Sequence, residues 1–541
     1  MSHPFATTLE VGSSLANHTG SWRTERPVYA ERLPPCNHAC PAGEEVQRWL
    51  YHAESGDYRM AWKALVESNP FPATMGRVCY HPCESNCNRG RLDQAVNIHA
   101  VERFLGDEAI LRNWQFEVTA PPTGKHVLVV GAGPSGLSAA YHLSRFGHKV
   151  TIHEAGPVAG GMMQFGIPKY RLPRDVLKAE IARIEATGVT ILLNHKVDDL
   201  AALIATHSFD AAFLAVGAHI AKRAWIPAGD ASRIIDAIAL LREVETGPPP
   251  ILGRRVVVYG GGNTAMDAAR TVKRLGSTDA LIVYRRTREK MPAHEQELQE
   301  ALEEGIQIKW LSTVKEAGGS SIVLEKMRLD NSGFPQPTGE FETIEADCLV
   351  LALGQDVDLG FLRNIKGLEL EDGLVKVDGT MMTGCSGVFA GGDITPSERT
   401  ATIAIGHGTK AARHIDAYLR KVACPFEPER ELASFDKLNP WYYADAPKTI
   451  QPVLDSVRRR TTFEEVNRGL DEDNALFEAR RCLSCGNCFE CDNCYGVCPD
   501  NAVIKLGAGE RYRFNYDFCK GCGLCAEECP CGAIRMQPEE I

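Results

Sequence analysis

Between Arg480 and Pro499 the chain reads RRCLSCGNCFECDNCYGVCP: Cys482, Cys485, Cys488, Cys491 and Cys494 recur with two residues between neighbours, and three precede Cys498. Thiols at such spacing suit metal thiolates, and four of them hold one [4Fe-4S] cluster. The 19 cysteines crowd the two ends of the chain, which fits metal ligation in a reducing cytosol better than a disulfide framework. Six thiols exceed one cluster, so the question is which belong together and what the other two hold.

The register follows from a fixed point. C-x2-C-x2-C-x3-C-P is the pattern of bacterial ferredoxins, in which the fourth cysteine ligates the other cluster. Cys498-Pro499 fixes one copy, and CKGCGLCAEECP supplies the second. The exchange predicts Cys488, Cys491, Cys494 and Cys529 around one cluster, with Cys519, Cys522, Cys525 and Cys498 around the other. The intervening AVIKLGAGERYRFNYDF reads as a short hairpin. Two zinc knuckles would not require a paired C-x3-C-P. Cys531 is left as a bystander.

The middle of the chain carries phosphate chemistry. In KHVLVVGAGPSGLSAAYHLSRFGHKVTIHEA, an apolar strand leads through Gly131, Gly133 and Gly136 into a helix, and a second strand ends at Glu154. The glycines allow a tight turn, close approach of a pyrophosphate and close helix packing, and the acid is placed for a ribose hydroxyl. A second unit, RRVVVYGGGNTAMDAARTVKRLGSTDALIVYRR, repeats the pattern with Gly260, Gly262 and Ala265. Arg285 and Arg286 stand where an NAD site places an acid, which favours the 2′-phosphate of NADPH. A solvated basic strand end is the alternative. Downstream, GVFAGGDI precedes a helix, as in two-dinucleotide flavoproteins, where such an aspartate, here Asp393 after Gly392, meets the FAD ribityl chain. FLAVG (213–217) and LALGQ (351–355) read as crossings between an FAD domain and an inserted NADP domain. No redox cysteine pair lies near the flavin, and Cys348 and Cys385 read as core. Electrons must therefore leave through the cysteine-rich ends.

Composition sets the frame for these motifs: 541 residues with 44% hydrophobic and 24% charged give an ordinary globular chain of three or four domains. The net charge of −11 argues against nucleic acid as the main partner. No apolar run is long enough to span a membrane, and MSHPFATTLEVGSS lacks the features of a secretory signal, so a cytoplasmic protein is expected. The expected fold is α/β with a helical iron–sulfur head (1–120). An FAD-binding domain (121–245 and 351–425) contains an inserted NADP-binding domain (246–350), both Rossmann-like. A linker and helix bearing the CxxC pair (426–485) lead to an α+β ferredoxin-like domain (486–541).

The motifs CNHACP, GRVC…CESNC, GAGPSGLSAA, EAGPVAGGMMQFGIPKYRLP, GGGNTAMDAAR, YRRTREKMPA and GVFAGGDI together resemble the small (β) subunit of bacterial NADPH-dependent glutamate synthase. They also resemble the N-terminal half of dihydropyrimidine dehydrogenase. The resemblance implies FAD contacts at Pro134, Ser135, Gly161 and Arg171, and NADP contacts at Asn263 and Thr264. It implies one head cluster on Cys40, Cys79, Cys83 and Cys87. The family's second head cluster uses an RCxxC pair that does not precede Cys36 here. FEEVNRGLDEDNALFEARRCLSC looks like that N-terminal helix and pair moved to the other end. Cys482 and Cys485 would then join Cys36, with Glu102 as the fourth ligand.

This reading gives FAD, NADP(H) and four [4Fe-4S] clusters: two in the ferredoxin, one in the head, one shared between head and tail. Hydride transfer and single-electron transfer need placement rather than a general base or nucleophile, so no catalytic residue is assigned. Glu295 reads as a solvated helix charge. The expected function is an NAD(P)H oxidoreductase that serves as electron-transfer subunit of a larger complex, such as a 2-oxoacid:acceptor oxidoreductase, or that exchanges electrons with ferredoxin. A glutamate synthase small subunit is the alternative, and a non-catalytic iron–sulfur scaffold a distant third. Residues 420–475 receive no role beyond connection.

Overall fold

Five short, almost wholly apolar strands form the first sheet of a computed structural model that describes residues 18–19, 23–222, 224–228, 233–425 and 428–539. The segment 1–14 considered as a signal lies outside the described residues. The strands Val388–Ala390, Ala211–Leu214, His126–Val130, Lys149–His153 and Thr190–Leu192 run parallel in that order. Runs such as HVLVV suit a sheet covered on both faces, where alternation would expose polar groups to a core. Helices Pro134–Arg145 and Ala401–Arg420 pack together beside it. The second of these is capped by Thr400, whose hydroxyl accepts from the Ile403 amide at 3.2 Å.

A second parallel sheet runs Gln307–Lys309, Asp279–Val283, Arg255–Tyr259, Cys348–Leu351 and Ile234–Asp236. It is an insertion in the first domain: the chain passes between them through an antiparallel ribbon of Ile220–Ala221 with Gln355–Asp356. The inserted domain starts before the expected boundary at 246. Strand Ile234–Asp236 already pairs with Cys348–Leu351, and helix Ala237–Thr246 packs into the same core. A three-stranded meander over Ser312–Glu345 completes it.

The head is a cluster of helices, principally Val46–Glu54, Tyr58–Val66, Pro72–Val78 and Ile98–Leu111, around Trp49, Trp62, Leu50 and Leu65. Both chain ends meet it. Helix Glu472–Arg480 buries Ala475 and Ala479 in the head core. Strand Glu25–Tyr29, inside the span expected to be purely helical, instead pairs antiparallel with Ile534–Pro538 of the ferredoxin unit. The expected hairpin is present as Val503–Ile504 against Arg513–Phe514. No helix among the described residues is long and apolar enough to cross a membrane.

Candidate redox site

The two glycine turns share one geometry. Gly131 has φ +104°, and a Cβ there would lie 2.4 Å from the Ala215 carbonyl oxygen. Gly260 has φ +151°, and its Cβ would lie 2.2 Å from the carbonyl oxygen of Ala352. Ala215 and Ala352 belong to the two crossing segments, so each crossing strand presses on one turn and excludes any other residue type. Gly133 and Gly262 then stand at the N-caps of helices Pro134–Arg145 and Asn263–Arg274. The first amides of each helix have no intrahelical partner and point at the turn, where an anion is stabilised.

Around the first turn the predicted residues converge. Gly136 packs on the Gly131 carbonyl, and Gly161 approaches Gly133 so closely that a Cβ would lie 2.8 Å from its Cα. Gly392 packs against Ser135. The Ser135 hydroxyl is buried with no hydrogen-bond partner, a donor left for a ligand. Glu154 is held at its strand end by accepting from the amides of Ala132 and Gly156, each at 2.7 Å. Burial holds the Asp393 carboxyl above the usual range, with only Arg399 opposing. This cradle fits a dinucleotide diphosphate with its sugar end at Glu154 and its far end at Asp393.

At the second turn Ala265 is buried and Thr264 half-buried. The Asn263 amide group donates to the Tyr80 hydroxyl at 2.7 Å and accepts from the His294 amide at 2.8 Å. Its side chain thus fastens the head to this domain. Arg285 is exposed, whereas the buried Nε of Arg286 has no partner; that unpaired donor fits a phosphate at the strand end. Glu295 pairs with Arg288 at the surface.

Arg171, expected at a cofactor, turns its guanidinium to the carboxylates of Asp267 (2.8 Å) and Glu297 (2.6 Å), and both carboxylates lie in the inserted domain. It thereby forms a buried ion pair between the two domains.

The thiols fall into four groups, with one correction. Cys36, Cys87, Cys482 and Cys485 line a single pocket, walled by Pro34, Leu50, Val96, Ile98 and Leu483. The Asn88 side chain donates to the Cys485 sulfur at 3.3 Å, which brings the neighbouring Cys87 to this group. Glu102 is elsewhere: burial and then its charge raise the Cys79 thiol to about 12, and burial, Glu44 and, less, Glu102 raise that of Cys40. Burial and the charges of Cys40 and Cys79 likewise push the Cys83 thiol up. Thus Cys87 and Glu102 exchange the places expected of them.

The cause is helix geometry. Helices Pro72–Val78 and Ile98–Leu111 cross with Gly76 against Arg103 and Gly106 against Ala73. That crossing sets Glu102 beside Cys79, while the turn after Cys83 carries Cys87 away. Asn69 donates to both Glu102 (3.0 Å) and Glu44 (2.9 Å). Burial pushes the Glu44 carboxyl up to about 7. Neither Asn69 nor Glu44 stood out in the sequence, since neither belongs to a spaced motif.

In the tail, Cys498, Cys519, Cys522 and Cys525 line another pocket. Burial and the charge of Cys529 raise the thiols of Cys488, Cys491 and Cys494. Cys531 is no bystander: its sulfur lies 3.7 Å from that of Cys529, and this hydrogen bond holds the Cys529 thiol down to about 6. Buried thiols with raised pKa values become thiolates when a metal neutralises them. None of the 19 cysteines is in a disulfide.

Known proteins match along the whole arrangement. Residues 125–408 match the pyridine nucleotide-disulphide oxidoreductase family, 10–114 match dihydropyrimidine dehydrogenase domain II with its 4Fe-4S cluster, and 512–535 match a 4Fe-4S binding domain. The beta subunit of NADP(+)-dependent formate dehydrogenase from Moorella thermoacetica is 37% identical over 83% of this chain and 70% of its own length. The NADPH-Fe(3+) oxidoreductase beta subunit of Geobacter sulfurreducens is 32% identical over 83% of this chain and 75% of its own. The small chain of NADPH glutamate synthase from Escherichia coli K12 is 30% identical over 71% and 89%. With two glycine cradles between cysteine-rich ends, the chain belongs to the pyridine nucleotide-disulphide oxidoreductase family and is an NAD(P)H-dependent flavin oxidoreductase with 4Fe-4S domains.

Proposed function

We propose that this chain passes electrons between NADPH and a partner subunit through FAD and four [4Fe-4S] clusters. One observation supports this above others: Cys482 and Cys485 of the tail share a cavity with Cys36 and Cys87 of the head. Bound FAD supplies the conversion of a two-electron hydride into single electrons, which [4Fe-4S] clusters carry singly.

The residues' own work is placement. Ser135, Gly133 and Gly161 would seat the FAD diphosphate, Glu154 its ribose and Asp393 its ribityl chain. Gly260, Gly262, Thr264 and Arg286 would seat NADPH, with Arg286 on the 2′-phosphate. Cys40, Cys79, Cys83 and Glu102 would hold the first cluster, because helix Ala401–Arg420 of the FAD domain touches their loop. A Cβ at Gly406 would lie 1.9 Å from the Pro41 carbonyl, immediately after Cys40. Cys36, Cys87, Cys482 and Cys485 would hold the second, and the ferredoxin unit the third and fourth.

The partner we favour is a low-potential oxidoreductase such as a 2-oxoacid:acceptor oxidoreductase, because a fused ferredoxin suits single low-potential electrons. Anaerobic native purification with mass spectrometry of the co-purifying chains tests this. Thiamine-dependent 2-oxoacid oxidoreductase subunits are expected; a large amidotransferase subunit would overturn the partner assignment. Dye reduction from NADPH by the isolated chain tests the electron path itself, and its absence from protein replete with flavin and iron would reject that path.

A further inference from the structure

The segment NPWYYADAP, 439–447, lies on the ferredoxin unit rather than hanging between domains. Asn439 donates to the Glu527 carbonyl at 2.9 Å, and its own amide donates to the Pro530 carbonyl at 3.1 Å. The short turn Pro440–Tyr442 is closed by Asn439, whose side chain accepts from the Trp441 amide. Tyr442 donates its hydroxyl to Glu528. So fastened, Trp441 is 86% and Tyr442 45% exposed, a large apolar surface held rigidly in water. Cys491 is itself exposed and lies two residues before Asn493, whose side chain donates to the Glu528 carbonyl at 3.3 Å.

We propose that Trp441 and Tyr442 form a docking shelf at which a basic, one-electron redox protein receives electrons next to Cys491. This rests on the electron path proposed above. Charge selects the occupant. Residues 486–541 carry nine acidic against five basic side chains. Around the shelf Glu490 precedes Cys491, Glu527 and Glu528 flank the turn, and Asp445 follows it. An apolar aromatic centre with a carboxylate rim matches a basic face with an apolar centre, whereas an acidic carrier would meet like charge. The shelf is at the unit containing Cys488, Cys491, Cys494 and Cys529, so this exit precedes the Cys498 group.

The test uses the full chain with its flavin and iron, anaerobically, with ferricytochrome c as the basic probe and ferricyanide as a small acceptor that needs no docking. Each NADPH, oxidised to NADP+ with release of one proton, reduces two of either acceptor. Trp441→Ala is expected to raise the KM for ferricytochrome c about tenfold, as loss of an interface aromatic does, with ferricyanide turnover unchanged. Glu527→Gln with Glu528→Gln is expected to flatten the fall of ferricytochrome c reduction with salt. Wild-type kinetics in Trp441→Ala, or an equal loss with both acceptors, would overturn the shelf. So would a change of oligomeric state in Trp441→Ala by sedimentation, which would make the surface a contact with a second copy. Wild-type protein that reduces neither acceptor would remove the underlying electron path as well.

Discussion

The buried Nε of Arg286 has no hydrogen-bond partner and stands at the strand end of the second nucleotide turn, where we propose it meets the 2′-phosphate. Replacing Arg286 by Gln removes the charge but keeps a donor, and a charge-assisted hydrogen bond contributes about 1.5–3 kcal/mol. The KM for NADPH should therefore rise by roughly tenfold or more, with NADH turnover unaffected; parallel losses with both would show that Arg286 does not read the 2′-phosphate. The cysteines allow an equally sharp test. Cys87→Ser and Cys485→Ser should alter the same cluster signal in paramagnetic resonance spectra, and Cys83→Ser a different one. If Cys87 and Cys83 share a signal instead, the grouping read from the cavity is wrong. At this scale, spaced motifs drew attention to the glycines, Glu154, Asp393 and the ferredoxin cysteines, because turn residues, a strand-end acid and regular thiols are visible as letters and intervals. The head grouping rested on resemblance rather than spacing, because the helix crossing that sets Glu102 beside Cys79 leaves no interval in the sequence.

Elements here are held by charges that no periodicity announces. Arg171 from the FAD domain lies between Asp267 and Glu297 of the inserted domain, and Tyr80 of the head donates to Glu297 at 3.0 Å. Beside them, Arg274 sits 3.7 Å and Arg270 4.9 Å from the centroid of the Tyr170 ring. The parallel strands, the glycine turns and the inserted topology could all be read from apolar runs and turn residues. These interdomain contacts could not, because a buried arginine has the same letter as a ligand-binding one. Breaking a buried pair from one side leaves the other charge unpaired, at a cost of about 3–5 kcal/mol. Asp267→Ala should therefore lower the thermal midpoint sharply, and Arg171→Ala in addition should recover part of the loss. Two independent, additive losses in that double-mutant cycle would mean the pair does not couple the domains.

Across the whole molecule the two chain ends are one structure. Strand Glu25–Tyr29 forms a two-stranded sheet with Ile534–Pro538 of the ferredoxin unit, and helix Glu472–Arg480 packs into the head core. The CxxC pair's kinship with the head was legible in its resemblance to a displaced motif. The strand pairing of residues 25 and 538 was not, since short edge strands lack a pattern that selects a distant partner. The joint rests on Arg481, 1% exposed by side chain, which pairs with Glu478 at 2.8 Å and Asp93 at 3.3 Å. It also donates to the carbonyls of Gln94 and Ala95, and its own carbonyl accepts from Arg89. Cys482 follows directly, so whatever displaces Arg481 moves a ligand of the proposed shared cluster. Arg481→Met keeps an apolar stem but leaves Glu478 buried and unpaired. The expected result is loss of about four iron atoms per chain, one [4Fe-4S] cluster, with flavin content and the ferredoxin signals retained. Full iron content in that variant would show that the joint does not hold the shared cluster. Loss of all iron together with flavin would show that head and tail fold as a single unit with the nucleotide domains.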